Sequence, residues 1–222
     1  FYNAVSADIT TDNHSTYDIA VADMNHDGFK DVVVANSGRN YLYLSDGAGD
    51  LFDNSVGLPI GTVTETETSW AVDIADINQD GHPDVVFGNA SAVNRYYLNN
   101  GSADPFNGVT SNTVDGLDSA TTYGIKAVDV DLDGDIDIIA LNNGVNRLYL
   151  NSGWIFANGS GVDIFADNAA SYAADVGDVN GDGLPDLVVA NYSNTANRLY
   201  LNDGSGNPFD TIAGTNISDD AY

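Results

Sequence analysis

Four stretches of this chain carry carboxylates at a spacing that could hold a metal ion. Asp23, Asn25, Asp27 and Asp31 stand at positions 1, 3, 5 and 9 of the first stretch, with Gly28 at position 6. The pattern returns as Asp76, Asn78, Asp80 and Asp84 around Gly81, and as Asp129, Asp131, Asp133 and Asp137 around Gly134. It returns a fourth time as Asp178, Asn180, Asp182 and Asp186 around Gly183. Oxygens at positions 1, 3 and 5 can converge on one hard cation, and a glycine at position 6 lets the backbone turn left-handed around it. The carbonyl of position 7, on Phe29, His82, Asp135 or Leu184, can then point inward. Six or seven oxygens, several of them anionic, suit Ca2+ better than Mg2+, which keeps its waters in a tight octahedron. The expected cofactor is Ca2+, about four ions, one per loop.

The loop differs from an EF-hand, which finishes with a Glu at position 12. Here it closes at the Asp in position 9 and runs into an apolar segment. A metal-free hairpin turn needs only one or two Asx residues, whereas 13 of the 31 Asp occupy positions 1, 3, 5 and 9 of these loops. Carboxylates stacked this way repel one another unless a counter-ion sits between them. The acidity is correspondingly lopsided: Glu65 and Glu67 are the only two Glu in a chain of net charge −27. Four doubly charged ions would raise that charge to −19, still acidic and suited to a saline exterior.

The elements that must position the loops repeat with them. Successive loops begin 53, 53 and 49 residues apart. Six residues before each stands an aromatic (Tyr17, Trp70, Tyr123, Tyr172), and five after each stands an Asn (Asn36, Asn89, Asn142, Asn191). A Tyr/Leu segment follows, then a Gly, then a closing Phe at 52, 106, 156 or 209. The runs 31–35 (DVVVA) and 186–190 (DLVVA) are β-branched and nearly continuous, which suits strands buried on both faces. The segment before each loop, the Tyr/Leu segment and the stretch near the closing Phe supply three more strands, with no helical periodicity between them. Four strands per unit of about 50 residues is the arithmetic of a propeller blade. The units are read as residues 17–69, 70–122, 123–171 and 172–222, with 1–16 as the closing strand of a preceding repeat.

The loop, the aromatic before it and the apolar strand after it resemble the FG-GAP/VCBS repeats of integrin-type β-propellers. The resemblance implies an all-β, propeller-type array of four four-stranded blades, with a calcium loop joining the first two strands of each. Carried over by position, the implied ligands are Asp23, Asn25, Asp27 and Asp31 and their counterparts in the other three units. Such repeats occur in adhesins, lectin-like proteins, integrin heads and appendages of polysaccharide-degrading enzymes, so the resemblance is specific for fold and metal rather than for biology. Integrin-type propellers usually have seven blades, and this chain has four loop centres but five closing tails. The surplus predicts a piece of a longer array, or else a tail that pairs with a neighbouring subunit. A third expectation is that residues 1–16 merely cover an edge.

Other chemistries find little support. The histidines are His14, His26 and His82, two of them inside the loops, so no nucleophile has an evident base. Glu65 and Glu67 alternate in one Thr-rich segment, read as an exposed edge strand rather than a glycosidase pair. The four Arg (Arg39, Arg95, Arg147, Arg198) recur once per unit and are read as ion pairs with an Asp of the same or adjacent blade. Tyr43, Tyr97, Tyr149 and Tyr200 are read as blade packing. Cysteine is absent, and Asn-x-Ser/Thr occurs at Asn13, Asn89, Asn100, Asn158, Asn191 and Asn216. So negative a surface repels nucleic acid and anionic lipid, and no apolar run approaches the ~20 residues of a membrane span. The expectation is a non-enzymatic, extracellular or cell-surface calcium-binding module with a structural or adhesive role, self-assembling through its surplus strand. The alternatives are a carbohydrate-binding module or a non-catalytic appendage of a secreted polysaccharide-degrading enzyme. Partners are an extracellular protein or glycan, or further copies of the chain.

Overall fold

The computed structural model describes residues 9, 13–47, 52, 55–114, 116, 119–153, 156, 161–164, 169–210 and 213–217. The expected closing segment 1–16, the glycosylation motif at Asn158 and the end of the last unit lie largely or wholly outside them. Among the described residues there is no helix, and sixteen strands follow one another in four sets of four. Unit 1 holds β1 (Thr16–Ala22), β2 (Asp31–Asn36), β3 (Tyr41–Tyr43) and β4 (Leu58–Pro59). Unit 2 holds β5 (Ser69–Ala75), β6 (Asp84–Asn89), β7 (Arg95–Tyr97) and β8 (Asn112–Thr113). Unit 3 holds β9 (Thr122–Val128), β10 (Asp137–Gly144), β11 (Arg147–Tyr149) and β12 (Val162–Asp163). Unit 4 holds β13 (Ala169–Gly177), β14 (Asp186–Asn191), β15 (Arg198–Tyr200) and β16 (Thr215–Asn216).

Each set is an antiparallel meander. The third and fourth also join into one eight-stranded sheet, where Asn143 and Gly144 of β10 pair with Ala170 and Ala169 of β13. The second strand of a unit is apolar after its opening Asp and up to its Asn because its sheet packs against a neighbouring unit. Val33, Ala35 and Leu42 of unit 1 pack forward onto Val72, Val85, Phe87 and Tyr97 of unit 2. Val86 and Tyr96, on the opposite face of unit 2, pack onto Ile125, Ile138 and Tyr149 of unit 3. Ile139, Leu141 and Leu148 then meet Leu187, Val189 and Tyr200 of unit 4. The core is thus three slabs between four sheets, each half supplied by a different unit.

One irregularity recurs in every unit. The register between first and second strands slips at Tyr17, Trp70, Tyr123 and Tyr172, each of which is left unpaired as a β-bulge. The bulge turns the aromatic out of its ladder and against the next unit. Tyr17 stacks on Trp70 with ring centroids 5.1 Å apart, Trp70 tilts onto Tyr123 at 4.8 Å, and Tyr123 stacks on Tyr172 at 4.4 Å. A polar row accompanies this aromatic one. The amides of Asn40, Asn94 and Asn146 donate to the hydroxyls of Ser69, Thr122 and Ser171 in the following unit, at 2.8–2.9 Å. Those hydroxyls donate in turn to Asn89, Asn142 and Asn191. Asn89 is buried and fully engaged in this row, which leaves it unfit as a glycan acceptor.

The row stops at unit 4, where Asn197 holds the equivalent position and is exposed. Apolar residues on the same face share its situation. Val179 and Ile217 are 56% and 52% exposed, whereas their counterparts Met24, Ile77, Val130, Ile60, Val114 and Ile164 are at most 2% exposed. At the other end of the array, Val32, Val34 and Tyr43 on the rear face of unit 1 are already buried, with Tyr41 and Phe52 packed on them.

Candidate metal centres

All four loops fold alike. Position 1 accepts backbone N–H bonds on its carboxylate: Asp23 from Asp27 and Gly28 at 3.1 and 2.9 Å, Asp76 from Asp80 and Gly81, and Asp178 from Asp182 and Gly183. Asp129 accepts from Gly134 at 3.0 Å. Position 5 caps position 7 in the same way, as Asp27 does the N–H of Phe29. Two left-handed residues wind the chain round these carboxylates. The glycine at position 6 has φ of +88 to +99°, and position 4 is left-handed too, on His26, Gln79, Leu132 and Gly181. His, Gln, Leu and Gly share no side-chain chemistry, so the loop imposes that conformation against the preference of three of them.

Position 9 does something the spacing did not announce. Asp31, Asp84, Asp137 and Asp186 are fully buried at the start of each second strand. Each accepts two backbone N–H bonds, one from position 2 of its loop and one from the residue that follows the third strand and its trailing Leu. That residue is Asn99, Asn151 or Asn202 in units 2 to 4, and its side chain reaches back to the preceding unit. Asn99 donates to the carbonyl of Met24 at 2.8 Å and Asn202 to that of Val130 at 2.8 Å; Asn151 donates to that of Ile77 at 3.4 Å. The buried carboxylate of one loop thereby fixes the hook that holds position 2 of the loop before it. Unit 1 has Ser45 in this place.

Burial and neighbouring carboxylates leave Asp31, Asp84 and Asp137 reluctant to ionise. Burial, against two lowering backbone hydrogen bonds and with nearby Asp charges adding to it, pushes Asp84 and Asp137 up to about 7 and raises Asp31. Asp131 is raised by burial and by the charges of Asp133 and Asp129.

The third loop stands apart. Oxygens of Asp129, Asp131 and Asp137 lie within 4.8 Å of one another, the one such acidic or histidine cluster among the described residues. Oδ1 of Asp129 is buried and has no hydrogen-bond partner. An unpaired buried carboxylate oxygen facing two more carboxylates is the donor set of a hard divalent cation. In the other three loops position 3 is Asn, and its amide donates to the carboxylate of position 5: Asn25 to Asp27, Asn78 to Asp80, Asn180 to Asp182, at 2.8–2.9 Å. An ionised Asp131 cannot donate, so in the third loop position 3 adds a carboxylate where the others have an amide. Asp135 turns its side chain away, accepting from Gly153 N–H at 2.7 Å and from Gln79 at 2.9 Å. Only its carbonyl is left for the loop.

Two expectations outside the loops need correction. Glu65 and Glu67 are not on an exposed edge strand. Both face Arg95, with Glu67 2.9 Å and Glu65 3.6 Å from its guanidinium, and Ser111 donates to Glu65. The Arg expectation changes with it, since the partners of Arg95 are Glu65 and Glu67 rather than an Asp. Arg39, Arg147 and Arg198 donate to the carbonyls of Gly61, Gly161 and Gly214, and Arg147 also pairs with Asp163 at 3.3 Å. The partner carbonyls lie 14–22 residues away, and no side chain at those positions signals them. Tyr43, Tyr97, Tyr149 and Tyr200 are buried in the blades as expected.

Comparison with known proteins agrees with this architecture. A family model described as an FG-GAP-like repeat matches residues 23–87, 76–140, 129–189 and 178–222. Human integrin alpha-6 is 29% identical over 129 residues, covering 53% of this chain and 11% of the integrin. Among solved structures, an Agrocybe aegerita lectin, described as recognising non-reducing terminal N-acetylglucosamine, superposes with a TM-score of 0.56 at 19% identity. That match covers 90% of this chain and 51% of the lectin. The V. cholerae biofilm matrix protein superposes with a TM-score of 0.50 at 18% identity, over 84% of this chain and 30% of that one. The chain thus spans about a tenth of its integrin relative and about half of the lectin. With the model matching from the first loop to the last residue, the chain belongs to the FG-GAP-like repeat family.

Proposed function

We propose that this chain is a calcium-binding, extracellular propeller-type module with a structural or adhesive role and no catalytic one. The observation that carries the reading is the third loop, where a buried carboxylate oxygen without a partner faces two further carboxylates. The ligands we assign are the side-chain oxygens of positions 1, 3, 5 and 9 and the carbonyl of position 7 in each unit, one Ca2+ per loop. Bound calcium supplies the positive charge that lets these acids stay ionised. The chain's own residues do the rest. Position 1 gathers the backbone N–H groups, position 9 anchors the loop to the sheet, and the Asn hooks carry that order to the preceding unit. Calcium in the millimolar range outside cells would then hold the array rigid. The units we assign begin with their first strands, at Thr16, Ser69, Thr122 and Ala169, up to three residues before the bounds read from the sequence.

The partner we favour is another propeller-type unit, further along the same polypeptide, in a further copy of the chain or in an extracellular protein, because unit 4 presents an exposed apolar face. Exposed Val179, Leu201 and Ile217 beside Asn197 match in kind what every internal interface buries. A second reading, binding of a glycan, is favoured by the open concavity of about 710 Å³ lined by Tyr17, Trp70, Tyr123, Lys126 and Tyr172. Against it, those rings stack on one another and leave few free faces for a sugar.

The test is thermal unfolding and native mass in calcium and in chelator. Calcium should raise Tm and add about four ions to the mass. A Tm indifferent to chelation would refute the calcium reading. Assembly is scored separately, as concentration-dependent mass lost on Val179→Asp, and a glycan array decides the second reading.

A further inference from the structure

Positions 4 and 7 of successive loops meet across the first two interfaces, and each pair has its own chemistry. Between units 2 and 3, Gln79 donates to Asp135. Between units 3 and 4 the corresponding residues are Leu132 and Leu184. Between units 1 and 2 they are His26 and His82, with ring centroids 5.0 Å apart and planes inclined by 56°.

This pair is incompletely satisfied. Nδ1 of His82 is buried and has no hydrogen-bond partner. The Nε2 edge of the ring lies against Gly101, where a β-carbon would come within 2.7 Å of that nitrogen. His26 is held by the left-handed backbone of position 4, at φ 58°. A buried imidazole nitrogen without a partner calls for a water or an ion, and the nearest ring is a second imidazole. Two imidazoles sharing one tetrahedral ion at about 2.0–2.1 Å per nitrogen place their ring centres about 5 Å apart. That is the separation found.

We propose that His26 and His82 form a binding site for a borderline transition-metal ion, of the Zn2+ class, that bridges loop 1 to loop 2. Imidazole nitrogen selects such ions over Ca2+, which takes oxygen ligands. The site is therefore chemically distinct from the carboxylate loops. Water would fill its remaining coordination positions. Bridging two units, the ion would tighten the first interface alone, since the equivalent pairs elsewhere carry no histidine.

The experiment titrates ZnCl2 into the folded chain in excess CaCl2 at neutral pH. Calorimetry should show one equivalent bound, weakened at least about tenfold by His82→Ala and by His26→Asn, a residue that tolerates the left-handed backbone. The double variant should lose no more than either single one, because both rings hold the same ion. His14→Ala, with its ring on Tyr41, should change nothing. A second readout needs no variant. With three histidines in the chain, NMR should show the imidazole signals of His26 and His82 shifting together with one equivalent of Zn2+ while those of His14 stay in place. Unchanged Zn2+ uptake in both histidine variants would assign the ion to the carboxylates and overturn the proposal. So would no uptake above the calcium background, or imidazole signals that do not respond.

Discussion

Asp131→Asn should change the sign of its effect with calcium. In the absence of the ion, Asp131 faces Asp129 and Asp137 with oxygens no more than 4.8 Å apart. At an effective dielectric of about 20, each like-charged pair at that distance costs about 3.5 kcal/mol when both are ionised. The raised affinity of Asp131 and Asp137 for protons, together with salt, reduces the net burden to about 1–2 kcal/mol. The other loops show what an asparagine does in this place, since Asn25, Asn78 and Asn180 each donate to the carboxylate two residues on. The variant should therefore be more stable than the parent in chelator, by about 2–6 °C in Tm. In saturating calcium the ranking reverses. Losing one anionic ligand should weaken the third loop about tenfold to a hundredfold, or about 1.4–2.8 kcal/mol. The assay is a pair of calorimetric melts of parent and variant, in chelator and in calcium. A variant less stable in chelator, or gaining as much from calcium as the parent, would refute the reasoning.

Two further outcomes follow from the buried polar groups. Asp84 and Asp137 have folded pKa values of about 7, so the chelated native state keeps protons that the unfolded chain has released between about pH 4 and 7. Stability without calcium should accordingly fall as pH rises through that window. A chelated Tm that climbed from about pH 5 to about pH 8 would contradict this, and calcium should flatten the dependence. Asn146→Ala strands the N–H of Asn142 inside an interface and takes the donor from the hydroxyl of Ser171, at a cost of about 1–3 kcal/mol in urea unfolding. Asn197→Ala, the same change on the exposed face of unit 4, should cost about 1 kcal/mol or less.

The loops and the blade pattern were readable because each rests on residue identity. A cation demands oxygens at fixed spacing, and a strand buried on both faces demands an unbroken apolar run such as Val32 to Val34. What escaped depends on where the chain returns. Glu65 looked like half of an exposed edge because Arg95 and Ser111 lie 28 and 46 residues away from their Glu partners. The left-handed position 4 was invisible because His26, Gln79, Leu132 and Gly181 have nothing in common but their place. The aromatics were conspicuous, yet nothing in their spacing announced a bulge, which exists only in the register between two strands. The Asn hooks did leave a trace: Asn99, Asn151 and Asn202 occupy one column of the repeat, with Ser45 as the exception. Aligning that column would have marked unit 1 as different.

Because every slab of core is half owned by the next unit, no unit is complete by itself. Units 2 and 3 each share two slabs, whereas unit 4 shares one. Stability in such a chain is a sum over neighbouring pairs rather than a property of the whole. Within residues 1–222, opening should therefore start more easily in unit 4, which shares one slab, than in units 2 and 3, which share two. Any unit seated on the exposed face of unit 4 would complete one more slab and leave a new face like the old one.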